Sequence, residues 1–124
     1  MPDYDSTFFN PPAPVAFVTL KNSENNQQVT DVPMLLDTGA DATLLPRAFV
    51  AKLDIIQTSE IWEVESFDGT RNESAVVRLQ MVFENKSFRG DYLLIEQDYG
   101  IIGRNILNFF NIRFDGKNLR WEIL

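Results

Sequence analysis

One stretch of the chain, "PMLLDTGADATLLP" from Pro33 to Pro46, places a carboxylate, Asp37, at the end of an apolar run. An ionised carboxylate in a segment that reads as buried is costly unless it is hydrogen-bonded, neutralised or put to use. What use is available depends on the rest of the chain. Its 124 residues include no cysteine and no histidine. Thiol nucleophiles, disulfides and thiolate zinc sites are therefore excluded. So are the Ser-His-Asp triad and every imidazole general base. Proton transfer in this protein falls to Asp, Glu, Lys or Tyr, and carboxylates lead that list.

A lone carboxylate is a poor catalyst for amide hydrolysis, because one group cannot split the acid and base roles. Two carboxylates about 3 Å apart share one proton and their pKa values separate, so that one activates water while the other protonates the carbonyl. Within "LLDTGA", Gly39 lets the backbone turn back with its N–H groups near Asp37. Thr38 adds a hydroxyl, and such donors favour the charged carboxylate. The plainer role for Asp before Gly is a turn or cap satisfied by local N–H groups. Asp37 and Asp41 as ligands for Mg²⁺ or Ca²⁺ lack the further oxygen donors such a site needs, so no metal and no cofactor is expected.

The elements that must hold this loop read as strands. "VAFVTL" (Val15–Leu20) and "VTDVPMLL" (Val29–Leu36) flank the polar cluster "KNSENNQQ" and predict a hairpin. "PRAFVAKLD" opens with proline and predicts one short helix over Arg47–Leu53. "EIWEVES" and "RNESAVVRLQMVF" flank Asp68-Gly69, a strong hairpin dipeptide. "FRGDYLLIE" follows the turn "ENKS". "IIGRNILNFF" begins as a buried strand and turns helical, and "NIRFDGKNLRWEIL" closes the chain as a hairpin around Asp115-Gly116. The expected fold class is all-β, a compact barrel with one or two short helices. Residues 1–14, polar and rich in proline, read as a flexible tail, leaving 15–124 as the domain.

Hydrophobic residues at 44% and charged residues at 23% are ordinary for a globular domain. A net charge of −7 argues against nucleic acid as partner. No run reaches the length of a membrane-spanning helix, and the first residues lack the pattern of a signal peptide. No membrane association is expected, and the expected location is cytoplasmic.

Taken together, "LLDTGAD", a Gly-containing hairpin in mid-chain and "IIGRN" near the end resemble the retropepsins, the retroviral-type aspartic proteases, over about Val15 to Phe110. The resemblance implies a single-lobe acid-protease barrel and an aspartic endopeptidase in which Asp37 is catalytic and Thr38 and Gly39 support its loop. It implies that Ala40 and Asp41 line the substrate cleft and that Arg104 forms an ion pair near Asp41. The hairpin tip Phe67-Asp68-Gly69-Thr70 would be the flap over substrate, and Ile101-Ile102-Gly103 would cross behind the catalytic loop. With one such loop per chain, the second Asp37 must come from another copy, so the resemblance implies a symmetric homodimer.

Two features depart from the retroviral pattern, and a third, Ala40, departs from the pepsin-like one. The flap has one glycine. The chain runs on past "IIGRN" into a full hairpin, 111–124, whose Phe114, Trp121 and Ile123 make it the candidate dimer interface. Ala40 stands where pepsin-like enzymes usually carry a hydroxyl that stabilises the ionised carboxylate, which implies a less acidic working range than pepsin's. A retropepsin-like module that only dimerises or binds peptide is the alternative function.

Overall fold

A computed structural model describes residues 2–55, 61–65 and 71–124, with backbone alone at 61–65 and 71–75. The strands are β1 (Tyr4–Asp5), β2 (Ala13–Lys21), β3 (Gln28–Leu36), β4 (Leu44–Pro46), β5 (Ile61–Glu65), β6 (Arg71–Phe83), β7 (Lys86–Ile95), β8 (Gly100–Ile102), β9 (Ile112–Asp115) and β10 (Arg120–Ile123). Two short helices, α1 (Arg47–Val50) and α2 (Arg104–Leu107), follow β4 and β8, and α1 tightens into a 3₁₀ turn over Ala51–Leu53.

The strand order is β1-β2-β3-β8-β4-β7-β6-β5, and β2 also pairs with β6 through Thr19↔Val82, Leu20↔Met81 and Lys21↔Gln80. That last pairing closes β2, β3, β8, β4, β7 and β6 into a six-stranded barrel. Closure pairs most of the strand edges an all-β domain must otherwise protect, although β4 joins β7 only from Leu93 onward. The expected all-β barrel is therefore the fold observed.

Alternation along the strands explains which side chains fill it. In β3, Val32, Met34 and Leu36 point inward and are buried; in β6, Val77, Leu79, Met81 and Phe83 do the same. Pro33, which has no N–H to give, falls just before β8 joins β3 at Met34, so it costs that ladder nothing. Between β6 and β7 the chain reverses in two residues, Glu84 and Asn85, with φ of 50° and 63°. This is the twist that two-residue hairpins favour. The β5–β6 pairing runs from Ile61↔Ala75 to Glu65↔Arg71, while the expected tip Phe67-Asp68-Gly69-Thr70 lies outside the described residues.

Both ends of the chain differ from expectation. The segment expected as a tail is tied down: Tyr4 N–H donates to the Leu119 carbonyl at 2.8 Å, and Trp121 N–H donates to the Pro2 carbonyl at 3.1 Å. β1 also pairs with the start of β2, which begins at Ala13 and so crosses the expected boundary. Phe8 and Phe9 pack on Tyr99, with ring centroids 6.0 and 4.7 Å away. Prolines restrict a chain but leave the carbonyls and N–H groups between them free to pair, so composition alone hid this strand.

At the other end, the β9–β10 hairpin forms as expected, but Trp121 is 1% exposed. Its indole N–H donates to the Val15 carbonyl at 3.3 Å and its ring faces Phe83. Trp121 thus belongs to the core of its own chain rather than to an interface, and Ile123 also packs against that core. Phe114 remains 40% exposed.

Candidate active site

β3 and β8 run parallel, with Met34↔Gly100, Leu35↔Ile101 and Leu36↔Ile102 in register. β4 lies on the far side of β8, paired at Leu44↔Ile101. The loop from Asp37 to Thr43, which connects β3 to β4, must therefore straddle the end of β8. Three backbone hydrogen bonds fix it there. Asp37 N–H donates to the Ile102 carbonyl at 3.0 Å, Ala40 N–H to the Asp37 carbonyl at 3.2 Å, and Arg104 N–H to the Ala40 carbonyl at 2.8 Å.

Strand alternation sets the direction of Asp37. Met34 and Leu36 face the core, so Leu35 and then Asp37 face outward. Leu35 and its partner Ile101 are half-buried, giving the carboxylate an apolar flank along the same face. Gly39 N–H donates to Asp37 Oδ1 at 2.9 Å, which holds the carboxylate in one orientation. A Cβ on residue 39 would sit 3.1 Å from that oxygen, a tight contact that glycine avoids.

Gly103 carries the tighter constraint. A Cβ there would lie 2.7 Å from the Ala42 carbonyl carbon and 3.0 Å from the Ala40 oxygen. Both are backbone atoms of the loop, so β8 can cross behind it only with glycine at that point. The expected crossing of Ile101-Ile102-Gly103 behind the loop is observed.

Sequence reasoning did not single out the buried Thr43 beneath the loop or its partner Asn105. Thr43, 2% exposed, accepts from Gly103 N–H at 3.1 Å and donates to Asn105 Oδ1 at 2.8 Å. One hydroxyl thereby joins the end of the loop to the start of α2. The signal was present in "DATLL" and "IIGRN", but a threonine in a strand-like run carries no mark of a distant partner.

Arg104 is placed near the loop as expected, but its partner differs. Its Nη1 donates to the Thr38 carbonyl at 2.7 Å. No Arg104–Asp41 ion pair occurs among the described residues; Asp41 is exposed to solvent, where its charge needs no partner. The guanidinium, always charged and rich in donors, supports Asp37 through the backbone of the intervening loop. Thr38 and Gly39 are exposed and Ala40 is half-buried, so the structure brings Asp37, Thr38, Gly39, Ala40 and Arg104 into one unit.

The arrangement is an oriented carboxylate on a braced loop, open on its outward side. Among the described residues no helix is long and apolar enough to cross a membrane.

No protein-family model matches the chain, and no curated protein matches it in sequence. Solved structures do match in shape. The EIAV protease complexed with the inhibitor HBY-793 superposes with a TM-score of 0.57 at 21% identity, over 78% of this chain and 86% of that one. The solution structure of simian foamy virus (mac) protease gives a TM-score of 0.53 at 14% identity, over 77% and 93%. Identity this low speaks for the fold. With the closed barrel and the loop straddling β8, the comparison is decisive on architecture: the chain has the retropepsin-like all-β fold of the retroviral proteases.

Proposed function

We propose that the protein is an aspartic endopeptidase that works as a symmetric homodimer. The observation that carries this reading is Asp37 itself. It stands on the outward face at the end of β3, oriented by Gly39 N–H, within a retropepsin-like barrel. One chain supplies one such carboxylate, and the pair that the chemistry requires is completed by a second copy across a twofold axis.

In the paired site one Asp37 is ionised and takes a proton from water as the oxygen attacks the scissile carbonyl. The other, protonated, gives its proton to the carbonyl oxygen. Collapse of the tetrahedral intermediate breaks the C–N bond as a proton passes to the leaving nitrogen. Ala40 and Asp41 are assigned to substrate contact, and the tip Phe67-Asp68-Gly69-Thr70 to closure over it. The hairpin 111–124 is assigned to dimerisation. Trp121 and Ile123 serve the core, so its contribution falls to Phe114 and to the outer edge of β9, which has no second strand beside it among the described residues.

The test compares the protein with Asp37→Asn on an unstructured protein substrate between about pH 3 and pH 7. Cleavage by the parent and none by the variant is the expected result, with specific activity rising with protein concentration as dimer forms. An optimum less acidic than about pH 2 is expected from Ala40. Equal digestion by both proteins would sink the protease reading, and dimerisation without cleavage would support a module that only binds.

A further inference from the structure

A second feature lies along β7. β7 pairs with β6 from Phe83↔Lys86 to Val76↔Leu93, but β4 joins its other edge only from Leu93 to Ile95. From Lys86 to Tyr92 that edge has no strand beside it among the described residues. A groove of about 600 Å³ runs there, between β7 and the chain at and after α2, with Ile106 and Phe109 on its far wall.

The floor of the groove has a gap. Phe88, Gly90 and Tyr92 are opposite Met81, Leu79 and Val77, all core residues, so this is the core-side row of β7. In the middle of that row Gly90 contributes no side chain. A Cβ built on it meets nothing within 4 Å. On one side Phe88 packs against Phe109 with centroids 5.6 Å apart, yet Phe109 is still 64% exposed. An apolar notch one side chain wide is thus left open beside an unpaired strand edge.

The charge of the edge is also out of character. The chain carries a net −7, but Lys86 and Arg89 on this edge have no carboxylate partner among the described residues. Lys86 Nζ lies 5.4 Å from the Phe110 ring centroid, which leaves its charge uncompensated. The one acid in the groove, Asp91, is already neutralised by Arg78 at 2.8 and 3.2 Å. The free edge is therefore locally positive.

We propose that this groove docks an extended acidic segment of a partner protein as an added strand along β7. An apolar side chain of the segment fills the notch over Gly90, and carboxylates flanking it meet Lys86 and Arg89. Main-chain pairing supplies affinity and alternate side chains supply selectivity, as in other strand additions to open sheet edges. The site is independent of Asp37 and stands whether or not the protein cleaves peptides.

The test uses ¹⁵N-labelled Asp37→Asn protein, so that no cleavage can consume the probe, titrated with the capped peptide Asp-Glu-Leu-Glu-Asp and with its Lys-for-acid counterpart. The acidic peptide is expected to shift the amides of residues 86–91. Gly90→Val fills the notch with a strand-favouring residue into open space and is expected to weaken binding at least about tenfold. Lys86→Glu with Arg89→Glu does the same, and decides the matter if Gly90→Val fails to fold. Absence of shifts at 86–91 with about 5 mM acidic peptide, shifts confined to the Asp37–Thr43 loop, or equal binding by the lysine peptide would overturn the proposal.

Discussion

The amide of Asp37 donates to the carbonyl of Ile102 at 3.0 Å, so the aspartate at the end of β3 is fixed by a residue far along the chain. "LLDTGAD" and "IIGRN" are thereby two parts of one device. The first presents the carboxylate and the second braces the loop from behind.

The crossing at Gly103 should be intolerant of any side chain. Gly103→Ala would press a methyl group into the Ala42 and Ala40 carbonyls, which are backbone and cannot swing aside. A loss of about 3 kcal/mol or more is expected, read as the shift in urea midpoint, with Gly90→Ala as a control near zero.

Thr43→Val keeps shape and removes the hydroxyl. It leaves the buried Gly103 N–H without its acceptor and Asn105 Oδ1 without its donor. The expected cost is about 1–3 kcal/mol, whereas Thr43→Ser should retain most of the stability. Equal loss in both variants would show that the methyl group, not the hydrogen bonds, matters.

Trp121→Ala removes the largest fully buried side chain among the described residues, together with its bond to Val15. A loss of about 3–5 kcal/mol is expected. Because Trp121 faces its own core, the loss should appear at protein concentrations where only monomer is present. A concentration-dependent defect with an intact monomer would contradict this placement.

Burial pushes the Tyr92 hydroxyl from 10.0 up to about 12, while it donates to the Phe88 carbonyl at 2.7 Å. Between those values the unfolded chain loses its proton first, so the unfolded state is favoured as pH rises. The contribution is whole below about pH 10 and is lost through about pH 12. The expected decline is about 1–2 kcal/mol. It is measured as the difference between the parent and Tyr92→Phe, which has no proton to lose there. Parallel pH curves for the two proteins would refute it.

Much of this molecule is legible from neighbouring residues alone. Strand alternation in "RLQMVF", the turn at Glu84-Asn85 and the short helix after Pro46 follow from local pattern and turn chemistry, and each is found in the structure. Asp115 was readable as a turn residue and accepts from Asn118 N–H and Nδ2 at 3.3 and 2.9 Å. The readings that changed depended on a partner distant in sequence. Arg104 was expected to face Asp41 and instead holds the Thr38 carbonyl. Residues 2–5 looked like a loose end until β2 and β10 were found beside them.

The sequence by itself determined the chemistry open to this protein. Without histidine or cysteine, proton transfer is left to Asp, Glu, Lys or Tyr, and the one Asp-Thr-Gly loop after an apolar strand is the feature on which the proposed catalysis by a pair of chains rests. Only the tertiary structure decided what braces that loop, which end-segments join the core and where β7 lies open over Gly90. The reason is physical. Strand period, turn preference and side-chain chemistry are properties of a few adjacent residues, whereas hydrogen-bond partners, burial and grooves exist only once closure of the barrel has brought distant segments together.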